Sequence, residues 1–391
     1  MLKMPGEGGW IGQSLSSSEA FNKYAESWGG VARGAEFSMT MLRLHQEYGL
    51  WILMWENLAK SRGPNKLGQA FDTQFGFVEN DEPDAFADFV DGSHYCGINT
   101  GFVRVAFYLA DQVVLLRDVY PGLGGDAIDA ATGELALCPT PEQLGESEEL
   151  FEQSLVRSHV KRLMARDCFA HLLIAFSVYH EFNHAISGHS AFVTQKLGLS
   201  RLHEQGSVAE AGLSTELHRE IEYTADIGAI ETLFDYAQRR TALSRLYRHI
   251  PSKRMLHRMC LLVLPVLCAQ WTLLSRRFGE DGFHPNPAAR LATFLRLYES
   301  FLCGHYHFGT WRLITKPAAK DLRRVAINCP ELVETALSLK NYLQDSEYWA
   351  QRSPANVIIK REEISDFSFP PLVPRKPYRN RQLEKMISSA G

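Results

Sequence analysis

The stretch SVYHEFNHAISGH, Ser177 to His189, places three histidines and one glutamate in a segment that otherwise has the apolar spacing of a helix. His180 and His184 are four residues apart, so on an α-helix they lie about 40° apart around the axis and about 6 Å apart along it. Two imidazoles on one helical face can bind a single metal ion. The stretch therefore predicts a helix that carries two metal ligands.

Glu181 directly follows the first of these histidines and is turned by about 100° from it. A catalytic zinc site has three protein ligands and one open position for water. The ion lowers the pKa of that water towards about 7, so a nearby carboxylate can remove its proton. We therefore expect Glu181 to be a general base and not a ligand.

The third ligand is expected on the next helical segment, HREIEYTADIGAIE. Glu222 and Asp226 are four residues apart there and share one face. Glu222 can complete a His, His, Glu ligand set, and Asp226 can accept a hydrogen bond from the outer N–H of a ligand histidine. A solvated acidic face is the alternative explanation, and other carboxylates remain alternative ligands: Glu216, Glu220 and Glu231.

Two further histidines are candidates for supporting roles. His218 precedes Glu222 by four residues and is a reserve ligand or donor. His189 would leave the chelating face by about 140° on a continuous helix, so we expect it to hold the helix end or a carboxylate. A three-histidine metzincin is excluded, because that pattern needs Gly three and His six residues after the second histidine, and this chain has serine at both positions.

The rest of the chain predicts a predominantly helical α+β fold. Apolar spacing indicates long helices over about residues 148–196, 215–240 and 254–278, and a short strand that runs into a helix after residue 95. Small side chains on the second of these helices would allow it to approach the first closely: Ala225, Gly228 and Ala229.

Composition and breaker residues suggest three regions. Residues 1–94 are interpreted as an N-terminal helical accessory region with an acidic turn near its end. Residues 95–310 form the expected core, with an irregular Gly-, Pro- and acid-rich insertion near 118–147. Residues 311–391 are expected to form a C-terminal helical region and a proline-rich basic tail.

The overall charge gives no sign of a nucleic-acid partner, since the chain has 41 basic and 45 acidic residues. The seven cysteines are odd in number and lack a Cys-x-x-Cys pair, which favours reduced thiols in the cytoplasm. The apolar run from Met259 to Leu274 has about 16 uncharged residues, fewer than the roughly 20 that span a bilayer. We therefore expect a buried helix and no stable membrane insertion.

Three motifs, HEFNHAISGH, EYTAD and HPNPAAR, together resemble the successive motifs of gluzincin zinc metallopeptidases of the HtpX and CAAX-protease kind. The segment INTGFVRV is similar to the Asn-x-Gly element that these enzymes place near the sheet edge where substrate lies extended. The soluble phage-exclusion peptidases of the Lit type share this plan, and the cytosolic composition makes them the nearer likeness. The resemblance covers residues 97–296 and implies a zincin-like core.

The resemblance implies one zinc per chain, bound by His180, His184 and Glu222, with Glu181 as the base and Asp226 in support. The expected function is a zinc metalloendopeptidase that cleaves a cytosolic protein through a Glu-activated, zinc-bound water. Alternatives are a helical interaction or regulatory protein with structural zinc or no metal, and a zinc hydrolase that acts on a non-peptide bond.

The motif HPNPAAR adds two candidates, His284 and Arg290. A histidine donor and a nearby arginine could stabilise the oxyanion that develops during hydrolysis. Alternatively, the His-Pro pair opens a turn and Arg290 pairs with a carboxylate.

Overall fold

The computed structural model describes the chain in segments, and the account below is confined to them: residues 18–32, 48, 52–53, 56–57, 59–61, 63–115, 139, 160–198, 202–203, 215–239, 253–278, 290, 317–318, 320–322, 324–325 and 362–369. The elements within these segments are α1 (Glu19–Ala25), a 3-10 turn (Glu26–Trp28), β1 (Thr73–Val78), β2 (Ala85–Val90), β3 (Ser93–Asn99), α2 (Thr100–Leu115), α3 (Val160–Ile186), α4 (His189–Leu197), β4 (Leu202–His203), α5 (Thr215–Arg239), α6 (Lys253–Phe278) and α7 (Glu362–Phe367). The predicted α+β class with a predominance of helix is confirmed.

The sheet has four strands in the order β1-β3-β2-β4. β1 and β3 run parallel, whereas β2 is antiparallel to β3 and β4 is antiparallel to β2. A two-residue hairpin joins β2 to β3, and its residues Asp91 and Gly92 have φ angles of 51° and 86°. An Asp-Gly pair suits such a turn, because both central residues need positive φ.

α3 is the central helix of the molecule and packs against α2, α5, α6 and the sheet. The residues from Cys168 to Phe182 are all buried, so this helix has no solvent-facing side over about four turns. A helix that is covered all round belongs in the interior. The polar residues HExxH are therefore carried into the core.

Three sequence-based helix predictions can be compared with the structure. The helices at 215–240 and 254–278 are confirmed as α5 and α6, and a strand followed by a helix after residue 95 is confirmed as the end of β3 and α2. The long helical stretch at 148–196 is confirmed as helical in its described part, but as two helices, because the chain leaves α3 at Ile186 and begins α4 at His189; residues 148–159 lie outside the described residues. Gly188 lies between them with φ 73°, a left-handed conformation that interrupts an α-helix.

The N-terminal part contains strands that the sequence interpretation did not include. The acidic stretch that we interpreted as a turn contains β2, and β1 precedes it. The predicted division at residue 95 runs through β3, so strands from both sides of it share one sheet. The insertion near 118–147, except residue 139, and the tail beyond residue 369 lie outside the described residues.

None of the helices that the structure describes is long and apolar enough to cross a membrane. α6, which carries the apolar run, includes Pro265 within the helix. Its described side chains from Met255 to Leu267 are almost all buried in the main hydrophobic core. The apolar run is thus explained by packing inside the protein.

Candidate metal centre

The site lies where α3 and α5 pack closely against each other. Gly228 of α5 faces Asn183 of α3, and a Cβ atom added to this glycine would lie 2.1 Å from Oδ1 of Asn183. Asn183 is held in place by donating to the carbonyl of Tyr179 at 2.7 Å. This close approach lets short side chains on the two helices meet.

His180, His184 and Glu222 form a buried group whose ligand atoms all lie within 4.8 Å of one another. The two Nε2 atoms are 3.0 Å apart. Oε2 of Glu222 lies 3.2 Å from Nε2 of His180, and Oε1 lies 3.5 Å from Nε2 of His184. Each of the three residues is only 2% exposed. This group could hold a metal ion.

The spacing of these atoms matches a tetrahedral ion. Ligand atoms at the bond lengths usual for zinc, in tetrahedral geometry, are separated by about 3.3 Å. The observed separations of 3.0, 3.2 and 3.5 Å lie on both sides of that value. In addition, Oε2 of Glu222 is buried and has no well-aligned hydrogen bond from the described residues. The donor set therefore fits a metal ion better than a closed hydrogen-bond network.

The carboxylates around His180 control its protonation. Burial alone would lower its pKa, but the nearby carboxylates of Asp226 and Glu222 outweigh this and raise the pKa of His180 well above its usual value. Burial raises the pKa of Glu222, but the surrounding histidines, His184 and His180 foremost, outweigh it and hold the pKa well below its usual value. The two carboxylates beside His180 thus favour a proton on its ring.

Asp226 and Arg290 lie behind His180. Nδ1 of His180 is 3.1 Å from Oδ1 of Asp226. Arg290 donates to both oxygens of the same carboxylate, from Nε at 2.6 Å and from an outer nitrogen at 2.5 Å. Both residues are buried. The structure thus places Asp226 beside the outer nitrogen of His180 and pairs Arg290 with it.

His189 lies beside His184, the second of the two candidate ligand histidines. The sequence interpretation did not predict this contact. Its Nδ1 is 3.1 Å from Nδ1 of His184. The helical-wheel angle assumed one continuous helix, but the break at Gly188 turns His189 back towards the site. The Ser-Gly pair before His189 is a recognised turn signal and could have indicated this. Burial lowers the pKa of His189 to about 3, so its ring is neutral.

Glu181 is buried on α3, one residue beyond His180. Its backbone carbonyl accepts from the thiol of Cys96 on β3 at 3.6 Å. Burial, together with the carboxylates of Glu181 and Asp88, raises the pKa of the Cys96 thiol well above its usual value. The backbone of Glu181 therefore contacts the sheet, and its side chain lies in the interior.

The remaining candidates differ in their distance from the group. His218 is fully buried, with Nε2 3.8 Å from Oε1 of Glu222. Glu220 and Glu231 are partly exposed and are not members of the metal group. The side chain of Glu216 and the whole of His284 lie outside the described residues.

Comparisons with known proteins give no family for the chain. It matches no protein-family model, no curated protein and no solved structure. The gluzincin likeness therefore depends on the sequence motifs and stays a prediction.

Proposed function

We propose that the protein is a zinc-dependent metalloendopeptidase with a zincin-like core that hydrolyses a peptide bond in a cytosolic protein. The observation that carries the proposal is the buried group of His180, His184 and Glu222, with Glu181 beside the first histidine. Two imidazoles and one carboxylate are the ligand set of thermolysin-like catalytic zinc sites. In the sequence H-E-x-x-H, the glutamate, Glu181, corresponds to the general base that such sites use.

The identity of the metal is proposed from the donor set. Imidazole nitrogen is a good zinc ligand, and all-oxygen sites suit calcium and magnesium better. Zinc bound by these three residues would supply an activated water and polarise the scissile carbonyl.

The remaining work of the reaction falls to side chains of the chain itself. Glu181 removes a proton from the attacking water as its oxygen bonds to the peptide carbon. The carbon–nitrogen bond then breaks, and Glu181 returns that proton to the leaving amine. Asp226, itself fixed by Arg290, holds His180 in the orientation that directs Nε2 into the site.

Charge balance supports a divalent ion at this position. Two carboxylates, Glu222 and Asp226, lie beside His180, and Arg290 pairs with Asp226. An ion that displaced the proton of His180 would supply the positive charge that Glu222 needs in the interior. Because uncompensated buried charge is costly, this arrangement suits a cation in the site.

The cytoplasmic setting is proposed from the thiols. Three described cysteines are buried thiols: Cys96, Cys168 and Cys260. Buried thiols are usual in reducing compartments.

The decisive test compares wild type with Glu181→Gln. We expect both to bind one zinc per chain, and only the wild type to cleave protein. Glu231→Gln, which removes a partly exposed carboxylate outside the metal group, serves as the matched control and is expected to retain both properties.

The substrate can be sought by comparing the proteomes of cells that express the wild type and Glu181→Gln. New protein termini that appear only with the wild type would support the proposal. Zinc binding by both forms without any cleavage would instead favour a structural zinc, and release of a non-peptide product would favour another hydrolase.

A further inference from the structure

His184 and His189 make a direct contact between their rings. The two Nδ1 atoms are 3.1 Å apart, and the ring planes are inclined at 69°. Both rings are buried. The residue behind this ligand is therefore an imidazole, whereas the residue behind His180 is a carboxylate.

The direction of the proton between these two rings follows from the metal site. Nε2 of His184 faces the group formed by Nε2 of His180 and the carboxylate of Glu222. To bind an ion, this Nε2 must offer its lone pair, so the proton of neutral His184 must lie on Nδ1. At 3.1 Å, Nδ1 of His189 must then accept that proton, which leaves the proton of His189 on Nε2.

We propose that His189 is a positioning residue that accepts a hydrogen bond from Nδ1 of His184 and so fixes the tautomer and orientation of this ligand. The inference rests on the metal centre of the proposed function but not on peptidase activity. Partners behind ligand histidines commonly raise metal affinity in this way, and their loss weakens it about 10- to 100-fold.

Contacts on both sides of His189 hold it at this position. The preceding turn is fixed from the C-terminal segment, where the backbone N–H of Phe369 donates to the carbonyl of Ile186 at 2.9 Å and the hydroxyl of Ser368 donates to that of Ser187 at 2.7 Å. On the following side, Oγ of Ser190 lies 2.9 Å from Nδ1 of His94 on β3. His189 is thus placed by a local turn that two other parts of the chain support, the C-terminal segment and β3.

The charge of the site explains why a neutral ring suits this place. Glu222 and Asp226 already bring two carboxylates to the site. A third carboxylate, at position 189, would add negative charge to the interior, which is costly. Neutral imidazole orients His184 without adding charge.

Two substitutions separate positioning from simple space filling. In His189→Asn, the amide oxygen can take the place of Nδ1, and we expect zinc affinity within about threefold of wild type. In His189→Gln, the acceptor is displaced by one methylene towards the place of Nε2, and we expect affinity about 10- to 100-fold lower. Affinity is measured by competition with a chromophoric chelator, after circular dichroism has shown that each variant is folded.

Equal affinity of wild type and both variants would overturn the role of His189 and leave the zinc site standing. Failure of the wild type to bind zinc would overturn the metal centre itself. Equal loss in both variants would show that His189 acts only by its bulk.

The tautomers of His184 and His189 can also be measured directly in the wild-type protein. In zinc-loaded wild type labelled with 15N-histidine, long-range nitrogen–proton correlation spectra should show His184 protonated at Nδ1 and His189 protonated at Nε2. A proton on Nδ1 of His189 would overturn the inference.

Discussion

At the scale of single residues, His180 is the most constrained group in the site. Its Nδ1 faces Asp226 at 3.1 Å and its Nε2 faces Glu222 at 3.2 Å. Although burial opposes it, these carboxylates raise the pKa of His180 well above its usual value. A metal ion must therefore displace a proton from this ring.

This displacement predicts the pH dependence of zinc binding. His180 is protonated below its raised pKa, so zinc affinity falls as pH falls, by about tenfold per pH unit if one proton is released. Calorimetric titration at pH 7 in buffers of different ionisation enthalpy should show release of about one proton per zinc. Zinc binding without proton release would show that His180 is already neutral.

Replacement of Asp226 should affect both metal binding and stability. Asp226→Asn removes the charge beside Nδ1 of His180, and we expect zinc affinity to fall about 10- to 100-fold. It also breaks the buried ion pair with Arg290, so the free energy of unfolding should fall by about 3 kcal/mol. Both quantities can be measured on purified protein, by chelator competition and by urea unfolding.

Asp321→Asn is the matched control for Asp226→Asn. Asp321 is also buried and accepts from Nε of Arg258 at 3.0 Å, but it is not part of the metal group. This variant should lose stability and keep its zinc affinity. Equal zinc affinity in the two variants would contradict the role of Asp226.

The burial of His94 predicts that the free energy of unfolding depends on pH independently of any metal. It is packed among Phe71, Phe89 and Phe369, and burial lowers its pKa to about 3. The unfolded chain, with a histidine pKa near 6.5, binds the proton first, so stability is lost as pH falls from about 6.5 towards 3.

Because the unfolded chain binds this proton and the folded chain does not, His94 alone should reduce the free energy of unfolding by about 2 kcal/mol as pH falls from 7 to 5. In His94→Asn, which retains a polar atom near the place of Nδ1, the pH-dependent loss should be smaller by that amount. Urea unfolding of both proteins at the two pH values measures it. An unchanged pH dependence would mean that His94 is charged in the folded state.

At the scale of elements, the contact between α3 and α5 determines whether the ligands can meet. Gly228→Ala would place a methyl group 2.1 Å from Oδ1 of Asn183. We expect the helices to separate, with a loss of about 1–3 kcal/mol in the free energy of unfolding and weaker zinc binding. The double variant Gly228→Ala/Asn183→Ala removes the two closest contacts and leaves only a Cβ–Cβ contact of 3.1 Å, so it should recover much of both losses. Its failure to do so would show that the contact does not control the site.

Local patterns in the sequence predicted the helices that carry the site. The bounds of α5 and α6 follow from apolar spacing, and four-residue separations indicated the pairing of His180 with His184 and of Glu222 with Asp226. Apolar spacing did not predict the break before α4, because an apolar pattern continues across Gly188. The Ser-Gly pair was the available signal, and the structure shows Gly188 in the left-handed conformation.

Contacts between distant segments were beyond the reach of the sequence. Whether Arg290 pairs with Asp226 or with another carboxylate depends on tertiary packing, and the sequence left both a catalytic and a pairing role open. Likewise, β1 joins the sheet by parallel pairing with β3. Parallel strands are not joined by a hairpin, so no local sequence signal predicts this pairing. The Asp-Gly pair between β2 and β3 is a hairpin signal in the sequence. It was not used when the acidic stretch was interpreted as a turn.

At the scale of the whole molecule, the metal group lies in the interior of a mainly helical protein. Its members are 2% exposed, so an ion bound there would be enclosed by the protein. The central claim concerns what the interior group binds, and it can be tested without the substrate.

The most direct test is the zinc content of wild type, Glu222→Gln and Glu220→Gln after zinc loading and dialysis against a weak chelator. The account predicts one zinc per chain in the wild type and in Glu220→Gln, whose substitution lies outside the metal group, and almost none in Glu222→Gln. A wild type without zinc, or Glu222→Gln that retains one zinc per chain, would contradict it.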